Sequence, residues 1–178
     1  MRFLGVHTGN TFSVLGGVSL GIATTPGEIS SLDSCMIDGG ATVDIGSGVT
    51  WTAGATLTMR GGFCLIHAAP AALVLTNGAQ VVVGEDALTW ASIVARNGST
   101  MTWVAGGTIT TLTMETGSSL DKSQDARGLT ITNSTIDGDS CSFNDPLNAI
   151  TWTNATSVKQ QVLSGPFLFT GTRTVKVT

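Results

Sequence analysis

The densest run of charge in the chain is Asp121-Lys122-Ser123-Gln124-Asp125-Ala126-Arg127, and Asp137, Asp139 and Asp145 follow shortly after it. Two carboxylates held about 5–9 Å apart would suit glycoside cleavage, one protonating the leaving group and the other acting as nucleophile or base. The spacing does not select which two. The same residues have a plainer use in turns: Asp125 and Arg127 are placed to pair, and Asp137-Gly138-Asp139 is a tight-turn sequence, because an Asp side chain bonds its own local backbone. We therefore expect no catalytic residue and no enzyme. His7 and His67 are isolated, without a third partner at metal-ligand spacing, so neither a zinc site nor a nucleophile–base pair is expected. The single Asp-Gly-Asp lacks the recurring frame of a calcium-binding nonapeptide repeat. Cys35, Cys64 and Cys141 are far apart and odd in number. Cys141 aligns with the apolar positions Met101 and Leu120, which makes it a buried, inert thiol. No metal and no cofactor are expected.

The elements that would carry these residues announce themselves by repetition. A glycine, two small residues, an apolar residue, any residue and usually a second apolar one recur at Gly40–Ile45, Gly54–Met59, Gly78–Val83, Gly98–Trp103, Gly117–Lys122 and Gly138–Phe143. Ile93, Leu112, Ile131 and Ile150 are spaced nineteen apart, and Thr113, Thr132 and Thr151 follow the last three. A period near twenty with period-two alternation inside each repeat excludes a helix bundle and fits one coil of a β-solenoid per repeat. The expected fold is all-β: a single-stranded parallel β-helix of about 19–20 residues per coil. Stacking in register then predicts an internal core ladder of Ile93, Leu112, Ile131 and Ile150, with an external ladder of Thr113, Thr132 and Thr151.

Further expectations follow coil by coil. Each glycine should turn the chain where a β-carbon would clash, and Lys122, which breaks the inward pattern, should turn outward with its ammonium in solvent. Earlier strands are read at 41–45, 49–51, 55–59, 63–66, 72–75 and 80–83. The segment 85–97 is the only stretch able to hold a helical turn. Residues 1–30 lack the repeat and read as an N-terminal arm or cap, 31–160 as the solenoid, and 161–178 as a hairpin that caps its far end. Phe167 and Phe169 are the expected end plugs, since an open solenoid end would expose strand edges.

Composition bounds the partners. With 42% apolar and only 11% charged residues the chain is not disordered, and no run approaches the ~20 apolar residues a bilayer requires. A net charge of −4 without a basic patch gives no footprint for nucleic acid. No basic region directly precedes the apolar segment Val14–Gly21, so assembly in the cytoplasm is expected.

The string from Gly107 to Ile136 resembles a group of tailed-bacteriophage virion proteins that repeat GTITTLxVxGGxxxW and continue as DxSxDxRxxTVTNxTxYxGxxxxDPxGxVTWTN. Asp121, Ser123, Asp125 and Arg127 match that cluster, as do Thr130, Thr132, Asn133, Thr135, Gly138, Asp145, Pro146, Thr151, Trp152, Thr153 and Asn154. The match covers residues 92–155. It departs at Ile136-Asp137, where an aromatic is usual, and at Leu147-Asn148, where glycine is common. The resemblance implies a non-enzymatic β-helical virion component that decorates or cements the capsid exterior.

On that basis the expected partner is the major capsid protein, the expected assembly a homotrimer, and the expected location the capsid surface of a virion made in the host cytoplasm. Arg2, Phe3, Leu4 and Val6 form an apolar-basic start suited to docking on the capsid, or to covering the first coil. The alternative is a fibre or tailspike-like β-helix that binds a receptor or polysaccharide, with Trp51, Trp90, Trp103 and Trp152 as sugar-stacking platforms. Trp103 and Trp152 fall in the inward frame, which favours core packing for them. A bacterial surface adhesin would require a secretion signal that the sequence does not display.

Overall fold

The computed structural model describes residues 2–3, 12–27, 29–85, 88–115, 117–136, 141–147, 149–153, 156–158, 168–169 and 176–177. Among these there is no helix, and every strand pairing is parallel. The chain is a β-solenoid of about seven turns. One sheet stacks the strands Ser19–Ile22, Thr42–Ile45, Phe63–Ile66, Gln80–Val83, Thr100–Trp103, Ser119–Asp121 and Ser142–Asn144. A second stacks Phe12–Val14, Cys35–Asp38, Thr56–Arg60, Ala72–Thr76, Leu88–Ala95, Gly107–Met114 and Leu129–Ile136, then the shorter strands beyond. A short third sheet pairs Ser30–Leu32 with Val49–Trp51.

The long strands explain the cross-section. In Leu88–Ala95 the alternation breaks: Trp90 is buried, Ala91 exposed, Ser92 half-buried and Ile93 buried. A bend at that point gives each strand two inward-facing segments, and the next strand bends in register with it, Trp90 over Ile109 and Ile93 over Leu112. The segment 85–97, expected as a possible helical turn, is therefore mostly strand. Trp90, Ile93 and Ala95 all reach the core from it, and burying them outweighs any local helical preference.

The inward ladders are long and nearly all apolar. One runs Leu20, Val43, Cys64, Val81, Met101, Leu120, Phe143. Another runs Cys35, Leu57, Leu73, Ile93, Leu112 and then Ser134. A third runs Trp90, Ile109, Ile131, Trp152. Trp90 meets Trp103 edge-on at 6.1 Å, and Phe143 meets Trp152 at 5.3 Å, so the aromatics lock successive ladders together inside the barrel.

The expected core ladder is corrected here. Ile93, Leu112, Ile131 and Ile150 are all buried, but only the first two stack on each other. Leu112 pairs with Ser134, Ile131 with Ile109 and Trp152, and Ile150 with Leu129. The outer hydroxyl ladder is likewise Thr89, Thr108, Thr130 and Thr151, not Thr113, Thr132 and Thr151. The cause is coil length, which varies from 16 residues (Leu57 to Leu73) to 23 (Leu120 to Phe143). A constant nineteen-residue period slips register wherever a corner gains residues.

The ends also differ from expectation. Ser19–Ile22 stacks in parallel on Thr42–Ile45, and Phe12–Val14 on Cys35–Ile37, so strands before residue 30 already belong to the solenoid. At the other end Leu168–Phe169 pairs in parallel with Thr151–Trp152, and Lys176–Val177 with Ser157–Val158. In place of an antiparallel hairpin, those strands prolong the stack, which satisfies their backbone groups just as well. Phe167 lies outside the described residues, and of Phe169 only the backbone pairing is described.

The glycine corners work through conformation. Asn77-Gly78 and Asn97-Gly98 have φ of 55° and 72°, and of 50° and 75°. Hydrogen bonds from Ala79 N to Thr76 O and from Ser99 N to Arg96 O close both four-residue turns. Two central residues at positive φ are what a type I′ turn requires, and Asn-Gly is its preferred pair. A β-carbon at Gly78 or Gly98 would meet no atom within 4 Å. The expected steric clash is absent at these corners, and backbone conformation alone selects glycine.

Candidate functional site

The charged run 121–127 occupies the corner between Ser119–Asp121 and Leu129–Ile136. Lys122, expected in solvent, has a fully buried side chain. It takes the inward position after Asp121, above Trp103, and its Nζ donates to Asp125 Oδ2 and to the Asp125 carbonyl, each at 2.7 Å. Arg127 completes the cluster from outside: Nε donates to Asp125 Oδ1 at 2.8 Å and Nη2 to the Val104 carbonyl one coil back at 2.6 Å. An ammonium this buried is tolerable only with a charged partner and satisfied donors, and the corner loop folds back to supply both. The Lys122 hydrogen bond, aided by Arg127 and opposed by desolvation, holds the Asp125 carboxyl down at about 2.

The other carboxylates of the region are equally engaged. Asp121 Oδ1 accepts from Ser123 N at 2.9 Å and from Asn144 Nδ2 at 3.1 Å, tying its coil to the next. Asp145 is buried and accepts from Ala149 N at 2.9 Å and Ile150 N at 2.8 Å, closing its corner. Asp137 and Asp139 lie outside the described residues. Asp121, Asp125 and Asp145 thus hold turns. Among the described residues no three of His, Cys, Asp or Glu group as metal ligands.

Three tryptophans are inside. Trp90, Trp103 and Trp152 are buried, while Trp51 is half-buried with its Nε1 donating to the Ala68 carbonyl at 2.8 Å. The three cysteines are free and buried. Burial pushes the Cys35 thiol up to about 12 and Cys64 well above the ordinary thiol range, and Cys141 Sγ lies 3.2 Å from the Glu115 carbonyl. Since the thiolate is the reactive form, none of the three should react with a soluble disulfide reagent in native buffer, and all three should react in guanidinium. Rapid stoichiometric labelling of the native protein would contradict this placement.

The arrangement that sequence reasoning missed is a notch in the early coils, at the corners that follow the strands Ser19–Ile22, Thr42–Ile45 and Phe63–Ile66. Thr24, Asp44, Gly46, Ser47 and His67 line a cavity of about 170 Å³. Asp44 projects outward from Thr42–Ile45, between Gly21 and Leu65 in the stack. Gly46 and His67 follow in register, their amides donating to Ile22 O and Ile45 O at 2.9 and 2.8 Å. Their only signal in the sequence is that Gly46-Ser47 and His67 each follow an inward isoleucine of the glycine repeat, Ile45 and Ile66. That signal is readable only once the register is known.

Of the expected docking residues, Arg2-Phe3 is a strand paired in parallel with Gly21-Ile22, and Leu4 and Val6 lie outside the described residues. Among the described residues the exposed large hydrophobic ones are Leu15 (60%), Val18 (40%), Ile29 (62%) and Leu147 (47%), three of them in the first coils. With the geometry in place, comparison with known proteins returns no match to any protein-family model, curated protein or solved structure. The class defined by the fold is that of parallel β-solenoids.

Proposed function

We propose that the chain is a non-enzymatic structural protein of a tailed-phage virion that decorates the capsid exterior and staples neighbouring capsid subunits as a trimer. The resemblance over residues 92–155 motivates the reading. The observation that carries it is a group of exposed apolar side chains, Leu15, Val18 and Ile29, on the first coils. A rigid barrel with hydroxyl ladders outside and an apolar patch on its first coils is suited to being planted on a surface. The charged corners support the same reading, because Asp121, Asp125 and Asp145 are bonded into turns. The fibre alternative has less support, since three of the four tryptophans it would use as sugar platforms are in the core.

The test is co-sedimentation with capsids that lack the protein. Leu15→Asp and Ile29→Asp together should abolish attachment while leaving circular dichroism unchanged, because both side chains are exposed in the free protein. Full attachment by the folded double variant would place docking elsewhere. Failure of the unaltered protein to attach, with binding to cell-surface glycan instead, would replace the decoration reading with the fibre one.

A further inference from the structure

We infer that the notch formed by Thr24, Asp44, Gly46, Ser47 and His67 is a binding site for a primary ammonium group. The first observation is the carboxylate. Asp44 Oδ1 is buried and has no hydrogen-bond partner among the described residues, and no Lys or Arg lines the cavity. A buried carboxylate oxygen left without a donor is costly, and among the described residues Asp44 Oδ1 is the one carboxylate oxygen so placed, whereas Asp121, Asp125 and Asp145 have donors. The notch is the exception.

The second observation is how the space is made. A β-carbon on Gly46 would collide with the Ala23 carbonyl, and one on Gly21 would sit 3.2 Å from Thr24 Oγ1. Glycine at both positions therefore lets the corner at Ala23-Thr24 close onto the strand that carries Asp44, and that corner forms one wall of the notch. His67 forms the far wall, held by Glu85, whose Oε2 is 3.5 Å from Nδ1.

The donor and acceptor set then selects the ligand. Asp44 Oδ1 and the hydroxyl oxygens of Thr24 and Ser47 are three acceptors, and an ammonium has three N–H donors and no acceptor. Two carboxylates, Asp44 in the notch and Glu85 behind His67, make the site attractive to a cation and repellent to an anion. A multidentate metal finds too few strong ligands here, since no three of His, Cys, Asp or Glu converge among the described residues. At about 170 Å³ the notch is below the roughly 300–1,000 Å³ of sites for drug-sized ligands, so it takes the end of a chain. Such an end belongs either to a free alkylamine or to a lysine side chain of another protein. The inference stands on the isolated barrel and does not depend on what the barrel attaches to.

Proton–nitrogen NMR of the isolated labelled protein, titrated with n-butylammonium chloride, tests it. Saturable shifts are expected at the amides of Asp44, Gly46, Ser47 and His67. Asp44→Asn keeps the shape of the side chain and removes its charge, so it should weaken binding by about tenfold or more with strand signals elsewhere unchanged. If that variant does not fold, Ser47→Ala should still weaken binding severalfold. Parallel titrations with n-butanol and with potassium chloride should leave the four amides in place. Equal shifts from either, or no saturable shift with n-butylammonium, overturn the proposal. Nα-acetyl-lysinamide separates the sources: binding at least as tight as n-butylammonium assigns the site to a protein lysine, and exclusion of lysinamide assigns it to a free amine.

Discussion

Ile131→Asp is expected to cost about 3–5 kcal/mol, a large share of the roughly 5–15 kcal/mol that holds an ordinary domain folded, while Thr130→Asp beside it costs under about 1 kcal/mol. Ile131 is 1% exposed and sits in the stack between Ile109 and Trp152. A carboxylate there has Ile109 on one side and the indole of Trp152 on the other, with no cation in its ladder to pair with it. Thr130 points outward in the hydroxyl ladder between Thr108 and Thr151, where an added charge stays hydrated. Because solenoid stability is summed over coils and their interfaces, the Ile131 lesion acts on two interfaces at once and should lower the urea midpoint steeply. Comparable losses at the two positions would mean that the alternation in Leu129–Ile136 is wrong.

That pair of residues also shows what was legible in advance. Alternation inside a strand is a local property, so Leu112 and Met114 are inward as their pattern predicts, and strands such as Phe63–Ile66 and Gln80–Val83 fall where it places them. Register between strands is not local. It depends on how many residues each corner consumes, and the corner at 122–128 takes more than the one at 104–106. Ile131 therefore lands over Ile109, where even spacing would put it over Leu112. Lys122 failed for a related reason: an inward lysine looks like a break in the repeat until the loop that folds back to pair it is known. The notch was invisible for the same cause, because Asp44, Ser47 and His67 meet only through the stacking of successive coils.

The second large effect concerns that lysine. Asp125→Ala should be severely destabilising, because it strands the fully buried Lys122 ammonium beside the Arg127 guanidinium with one carbonyl left to bond. Lys122→Met should cost no more than about 1 kcal/mol, since a thioether of similar length fills the same inward position and Asp125 keeps Arg127 and partial contact with water. The double variant Lys122→Met with Asp125→Ala should then be more stable than Asp125→Ala alone. That reversal separates a stranded charge from a simple loss of packing, and a double variant weaker than both singles would show that packing dominates. The pair also sets an acid limit. Asp125 titrates at about 2 in the fold, below its ordinary value near 3.8. A depressed carboxyl contributes stability that is fully present above the unfolded value and is lost as pH falls through the folded one. Denaturant midpoints of the unaltered protein should accordingly fall between about pH 4 and pH 2, and Lys122→Met, which removes the main cause of the depression, should flatten that fall. An equally steep acid limb in Lys122→Met would assign the loss to other carboxylates.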